Sequence, residues 1–287
     1  MKLIEKDKLI FSYSKLHPAV STVDLGETFR IETHERFCKV ENSDKIPGLT
    51  GPVFIKGIKA GHVLKIDILN ISLTEDFGVI ISMPDRGVFG SRYNKSIVSV
   101  YSLDNGFVNF SETIKVPLHP HVGRIVVAPS EGEYPTGTLG PFGGNMDNTH
   151  ICPGASVYLP VFIDGALLSM GDIHACMGDG ESNLSGVETS GIVTIKCSAA
   201  NNLNIQYPLI ENEYEIMTTA DGETFEEAAK YALHEMANIL CSRLGLSFFK
   251  AAELISIAAN LRVCQIVNPR IGVKVLISKK IVGNILG

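Results

Sequence analysis

Short runs of alternating apolar and polar residues, cut off by glycine, proline or Asx turns, dominate this chain up to about residue 221 and restrict it to a β architecture. "STVDLGETFRIETHERF" and "VFIKGIKAGHVLKIDILNISL" carry the pattern in the N-terminal third. It returns at Ile97–Tyr101, Thr113–Val116, Arg124–Ala128, Ser156–Phe162 and Ile192–Cys197, between turn signals such as Asp104-Asn105-Gly106 and Glu131-Gly132. Each such strand offers one face to an apolar interior, so many of them need a sandwich or barrel-like body. After Asp221 the period changes. In "ETFEEAAKYALHEMANILCSRLG", Phe225, Ala229, Ala232, Met236, Ile239 and Leu240 recur at helical spacing, and Gly245 is a stop. "SFFKAAELISIAANL" reads as a second helix with Ser247 as its N-cap, although Lys250 stands where a capping box has Glu. "RVCQIV" and "IGVKVLI" then return to strand. The expected fold is mainly β with α+β elements, a β-sandwich or barrel-like body with a C-terminal helical hairpin packed on the sheet. Residues 1–110 are expected to form an N-terminal β-rich domain, and 111–287 a catalytic β-rich domain that ends in the helices.

A chain of 287 residues with 45% hydrophobic side chains can bury a core without disulfide staples. The net charge of -6, with no long basic run, argues against a nucleic-acid surface and against a polybasic membrane anchor. Glu5, Lys6, Asp7 and Lys8 interrupt the apolar residues of the N-terminus, unlike a signal peptide, and no 18-residue apolar run is present to span a membrane. Cys38, Cys152, Cys176, Cys197, Cys241 and Cys264 lie far apart with no CxxC pair, which points to reduced thiols in a cytoplasmic protein and away from a cysteine-held zinc. Small-molecule chemistry is the expectation.

"PFGGNMDNTHICPGASVYLPVFIDGALLSMGDIHACMGDGES", Pro141 to Ser182, concentrates the chemistry. Asn145, Asp147, Asp164, Asp172, His174, Asp179 and Glu181 crowd among its glycines. In an extended chain alternate side chains share a face, so Asp172 and His174 project together while Ile173 points to the core, and Asn145 and Asp147 repeat the arrangement. Gly143 and Gly144 lack a Cβ and let backbone N–H groups approach a ligand closely. Histidine mixed with carboxylates suits zinc or a similar divalent ion, whereas carboxylates with backbone oxygens suit calcium. Each element alone has a plainer reading: Gly178-Asp179-Gly180-Glu181 as a solvated turn, His174 as a core histidine, and His119-Pro120-His121 as the entry to a strand instead of a metal pair. No GxSxG, GxxxxGK[ST] or HExxH occurs, and Cys176 stays open as a nucleophile or as buried filler.

The segments "IKVPLHPHVGRIVVAP", "GPFGGNMDN" and "LPVFIDGALLSMGDIHACMGDGE" resemble the acetamidase/formamidase family, and "GLTGPVFIKGIKAGHVLKIDI" resembles that family's N-terminal strand region. The resemblance covers roughly residues 17–280 in order. It implies hydrolysis of a short carboxamide, such as formamide or acetamide, to a carboxylate and ammonia by a β-rich, cytoplasmic homo-oligomer, either dimer or trimer. It also implies divalent metals, zinc at the active site with calcium as a second ion. Carried over residue by residue, the GGNMD signature falls on Gly143, Gly144, Asn145 and Asp147. The GDxHAxxGDGE signature falls on Asp172, His174, Asp179 and Glu181. Glu32-Thr33-His34-Glu35 stands for the family's "ET" element, with Glu35 where an Asp is usual. Gly61-His62 replaces Gly-Asp, and His119-Pro120-His121 replaces an Arg-Pro-apolar sequence, which leaves the substrate open.

On this basis Asp147 and His174, with Glu35 or His34, are expected to hold a zinc-type ion that polarises the carbonyl and lowers the pKa of a bound water to about 7. Glu181, or alternatively Asp172, is expected to carry the proton from water to the departing nitrogen. Asn145 and the amides around Gly144 are expected to orient the substrate and stabilise the oxyanion, with Gly143, Gly144 and Asn145 as the substrate-binding residues. The alternatives are hydrolysis of another linear or cyclic amide, or a non-catalytic β module that binds calcium or sugar.

Overall fold

The structure is a computed structural model that describes residues 1–34 and 48–287. Glu35, one of the expected metal ligands, lies outside the described residues. Among the described residues, two large sheets of nine and twelve strands carry the fold, with a separate two-stranded ribbon. Almost every pairing is antiparallel; Lys2–Ile4 with Thr28–Thr33 and Ser21–Asp24 with Leu49–Lys56 are the parallel pairs. The alternation read from the sequence appears directly in Thr28–Thr33, where Phe29, Ile31 and Thr33 are buried and the residues between them are half-buried.

Phe29, Ile31, Ile66, Val157 and Val193 of the nine-stranded sheet meet Val53, Val122, Ile125, Met170 and Ile173 of the other in one apolar core. Each fully buried aliphatic side chain of this kind contributes about 1.5–3 kcal/mol. A second core lies on the outer face of the nine-stranded sheet, where Ile216, Val273, Val275 and Ile277 pack against Ala228, Ala232, Met236, Ile239 and Leu240 of the long helix Phe225–Leu244. The helix begins where Thr224 accepts a hydrogen bond from the Glu227 N–H at 3.2 Å and stops at Gly245, whose φ of 65° is left-handed. Ser247 caps Phe248–Ala258 by accepting from the Lys250 N–H at 3.3 Å, but this second helix buries only Ala251 and leaves Phe249 and Ile257 exposed. The body is thus mainly β with a C-terminal helical hairpin on the sheet, as the periodicities predict.

Four neighbouring strands of the twelve-stranded sheet position the chemistry: Glu188–Thr189, Leu168–His174, His121–Val126 and Gly143–Asn145, in that spatial order. Their register places Glu188, His174 and His121 in one row across the sheet. The row of Gly171, Arg124 and Asn145 lies close to it. Residues far apart in sequence become side-chain neighbours in this way, because directly opposed positions on antiparallel strands bring their Cβ atoms to about 5 Å.

Candidate active site

His174 is fully buried at the centre of the first row. Its Nε2 lies 3.2 Å from Glu188 Oε1 and 4.0 Å from both Asp172 Oδ2 and Glu181 Oε1. Two sets of potential ligand atoms share this imidazole, Asp147 with His174 and Glu181, and Asp172 with His174 and Glu188, each set lying within 4.8 Å. Ile173 and Met146 point into the apolar core as the alternation expects. Plain alternation is not the whole cause, however: Asp147, Asp172 and Glu181 have φ of 42°, 65° and 47°. A non-glycine residue held in the left-handed region costs about 1–2 kcal/mol. Three of the four clustered carboxylates sit on such backbone, which bends each side chain toward the common centre.

Buried polar contacts hold these side chains in place. Arg124, 1% exposed, sets its Nε 3.1 Å from Asp172 Oδ2 and donates to Asn145 Oδ1. The Asn145 Nδ2 donates to Asp147 Oδ2 at 2.8 Å, so this amide links the arginine to the carboxylate. The Gly186 N–H donates to Glu181 Oε1 at 3.2 Å. Gly123 lies directly beneath the cluster: a Cβ there would stand 2.7 Å from Asp147 Oδ1 and 3.0 Å from Asp172 Oδ2. Only glycine leaves room for both carboxylates.

The imidazoles form an ordered chain. His121 Nδ1 lies 2.9 Å from the His119 carbonyl, which can only accept, so Nδ1 carries the proton and Nε2 is the acceptor. That nitrogen is 3.2 Å from His174 Nδ1, which therefore donates and turns His174 Nε2 toward the carboxylates. Burial, then the neighbouring His174, lower the His121 pKa to about 3 and keep it neutral. For His174 burial works in the lowering direction, but Glu188, Asp172 and Glu181 outweigh it and raise the pKa to about 10. The site thus favours positive charge at Nε2.

A divalent cation satisfies the same preference. Among the described residues, Asp147, Asp172, Glu181 and Glu188 crowd one imidazole in the interior, and Arg124 supplies a permanent positive charge beside them. Buried carboxylates in excess of cations are costly, and metal coordination is one way to compensate them. The imidazole with carboxylates on every side fits zinc or a similar ion better than calcium, which prefers an all-oxygen shell. The residues present therefore fit a divalent metal.

The other residues singled out in the sequence occupy different positions. Asp179 binds Lys274 Nζ through Oδ1 at 2.7 Å and Arg262 through Oδ2 at 2.5 Å. Burial opposes its ionisation, yet these two cations hold its carboxyl below the usual range. Asp179, His119, His150 and Arg262 line a cavity of about 610 Å³ whose wall includes neither Asp147 nor Glu181. Asp164 is exposed and paired with Lys59 at 2.8 Å. His34 directly follows Thr28–Thr33, half-buried near Lys6 and Glu32, and belongs to neither ligand set. Burial pushes the Cys176 thiol up to about 11, so it is not a ready thiolate.

Gly143 and Gly144 are buried in the strand pair with His121–Val126, where a Cβ would meet the Ile125 carbonyl at 2.4 Å and the Thr138 carbonyl at 2.2 Å. Close strand packing accounts for both glycines. The N–H groups of Asn145, Met146 and Asp147 donate to the Thr138 and Gly123 carbonyls at 2.9–3.0 Å and are therefore engaged within the fold. Glu188, Arg124, Gly123 and Lys274 were not legible as site residues, because only strand register and a long-range ion pair bring them here.

The acetamidase/formamidase family model matches residues 139–281, the stretch that holds Asp147, His174, Glu181 and Glu188. Two solved structures share almost the whole fold. An acetamidase/formamidase assigned by prediction in Thermoanaerobacter tengcongensis is 34% identical, with a TM-score of 0.94 over 98% of this chain and 96% of that one. An acetamidase from Bacillus halodurans is 33% identical, with a TM-score of 0.94 over 99% of each. A Schizosaccharomyces pombe protein whose formamidase name is itself provisional is 25% identical over 263 residues, 66% of this chain and 64% of its own length. The chain thus spans less than two thirds of that relative. One-third identity over nearly complete lengths, with the two sequence signatures folded together around His174, means that the chain belongs to the acetamidase/formamidase family, a family of linear-amide hydrolases.

Proposed function

We propose that this chain hydrolyses a short linear carboxamide, formamide- or acetamide-like, to a carboxylate and ammonia. The observation that carries the reading is the convergence of Asp147, His174 and Glu181 within 4.8 Å, with both carboxylates on left-handed backbone. Amide resonance weakens the carbonyl as an electrophile, and the nitrogen leaves only once it is protonated. Asp147, His174 and Glu181 are the residues that would hold a zinc-type ion, which when bound supplies a Lewis acid for the carbonyl and lowers the pKa of water to about 7. Glu188, outside that ligand set but with its carboxylate 3.2 Å from His174 Nε2, takes the proton of the attacking water and returns it to the nitrogen. Asp172 is committed to Arg124 and serves orientation, and Asn145 acts by fixing Asp147. Glu181, the proton carrier expected from the sequence, thus becomes a metal ligand.

The enzyme is further proposed to be a cytoplasmic homo-oligomer. The free thiols of Cys152, Cys176, Cys197, Cys241 and Cys264 support a reducing compartment. Exposed Val98 and Val100 on the strand Ile97–Asp104, with exposed Phe110 and Ile114 in the turn between Phe107–Asn109 and Lys115–Pro117, are candidates for burial between copies. Among the described residues no helix is long and apolar enough to cross a membrane. The deciding experiment measures ammonia released from formamide, acetamide, propionamide and urea, before and after exhaustive chelation and after zinc is restored. Zinc-dependent turnover of the smaller amides is the expected result. Turnover that survives verified metal removal ends the metal reading, and inactivity on the whole panel with zinc bound directs the search to larger or cyclic amides. Calcium as a second ion would appear as a bound equivalent that zinc does not displace.

A further inference from the structure

Lys274 has no role in the chemistry above, yet its side chain is fully buried. It stands on Ile271–Ser278, a strand of the nine-stranded sheet, opposite Thr219 on one side and Arg262 on the other. Its ammonium reaches Asp179 Oδ1 at 2.7 Å, Thr149 Oγ1 and His150 Nδ1 at 3.2 Å, and Asn148 Oδ1 at 3.3 Å. Asn148, Thr149 and His150 directly follow Asp147, whereas Asp179 is two residues before Glu181. The Thr149 hydroxyl adds a bond to Asp179 Oδ1 at 3.1 Å between the same two segments. A buried ammonium is expensive unless paired and hydrogen-bonded, and here its partners come from the two loops that converge on His174.

We infer that Lys274 is a positioning residue that clamps the 148–150 segment to Asp179 and so sets the spacing between the carboxylates of Asp147 and Glu181. Consecutive Cα atoms are only about 3.8 Å apart, so a shift at Asn148 passes directly to Asp147, and one at Asp179 reaches Glu181 through Gly180 alone. A misplacement on the order of 1 Å can lower turnover about 100-fold. The clamp deepens the proposed function of the same site, and its kinetic consequence rests on that reading.

The test uses the full chain and three variants: Lys274→Met, the double variant Lys274→Met/Asp179→Asn, and Val275→Ala as a control that weakens the same strand from its other face. Amide hydrogen exchange is followed in peptides covering residues 145–152 and 176–188, with Tm, kcat and KM alongside. In Lys274→Met both peptides are expected to exchange at least about tenfold faster together, and kcat to fall about 10–100-fold with KM nearly unchanged. Val275→Ala lowers Tm but leaves both peptides and kcat close to wild type. The double variant removes the orphaned carboxylate, regains Tm and remains folded even where the single variant does not, while both peptides stay loosened. Wild-type exchange in both peptides of the double variant overturns the clamp and reduces Lys274 to a counter-ion for Asp179. A wild-type chain inactive on every amide refutes the proposed function, and the exchange measurement still decides the clamp.

Discussion

His121 Nε2 accepts a hydrogen bond from His174 Nδ1 at 3.2 Å, and the His119 carbonyl fixes the proton on the other nitrogen of His121. A neutral histidine thus selects the tautomer of its neighbour and leaves His174 Nε2 as the atom that faces the carboxylates. Partners of this kind typically account for about 10–100-fold in metal affinity or activity. His121→Phe fills the same space without an acceptor, so it is expected to weaken zinc binding by that factor while far-UV circular dichroism stays unchanged. Competition against a chelator of known affinity is the measurement. Wild-type affinity in the variant means that the imidazole pair is packing alone.

Gly123→Ala tests whether the cluster depends on a missing side chain. The added methyl would meet Asp147 Oδ1 at 2.7 Å, the Asp172 carbonyl at 2.9 Å and Asp172 Oδ2 at 3.0 Å. Overpacking of this kind costs about 1–3 kcal/mol, and here the groups that yield are the proposed ligand and its neighbour. The expected outcome is a folded protein with a lower Tm and little metal retained on dialysis. Full zinc content in the purified variant would show that the two carboxylates have slack to move.

The broad fold was legible in the sequence, because period-two runs and the change to helical spacing after Asp221 are local consequences of burial on one face. Thr224, Gly245 and Ser247 end or begin helices by chemistry that a short window contains. The same locality explains why Asp147, His174 and Glu181 could be noticed: all three fall in one glycine-rich stretch, Pro141 to Ser182, where ligand-type residues crowd together. Glu188 and Arg124 are different. "GVETSG" and "HVGRIV" read as ordinary strand, and both residues reach the site only through register with Leu168–His174. The left-handed φ of Asp172 was also hidden, since alternation predicts regular extended backbone there. Lys274 looks in sequence like the exposed position of the C-terminal strand, and a second layer of loops buries it.

Glu181 and Glu188 carry the same functional group in different proposed roles, which a paired substitution separates. Glu181→Gln removes a ligand, so zinc content is expected to fall and activity to recover partly when zinc is added in excess. Glu188→Gln removes the proton carrier, so zinc is retained and kcat falls about 100-fold or more with little change in KM. Metal analysis beside steady-state kinetics on one amide reads both. The opposite pattern, zinc lost with Glu188 and kept with Glu181, exchanges the two roles.

The metal-free protein should lose stability at both ends of the pH scale for reasons traceable to two histidines. His174 has its folded pKa raised from 6.5 to about 10, burial being outweighed by Glu188, Asp172 and Glu181. The fold therefore binds this proton more tightly than the unfolded chain does. Its contribution is complete below about pH 6.5 and disappears as pH rises toward 10. His150 shows the reverse: burial, then Lys274 and Arg262, lower its folded pKa to about 4. The fold prefers neutral His150, so that contribution is complete above about pH 6.5 and disappears as pH falls toward 4. Thermal melts of chelated protein are expected to drop on the order of 5 °C along each limb. His174→Gln should flatten the alkaline limb, and His150→Asn the acid one. A limb that keeps its slope in the matching variant belongs to other groups, and zinc loading should remove the alkaline slope in the wild type by taking the place of the His174 Nε2 proton.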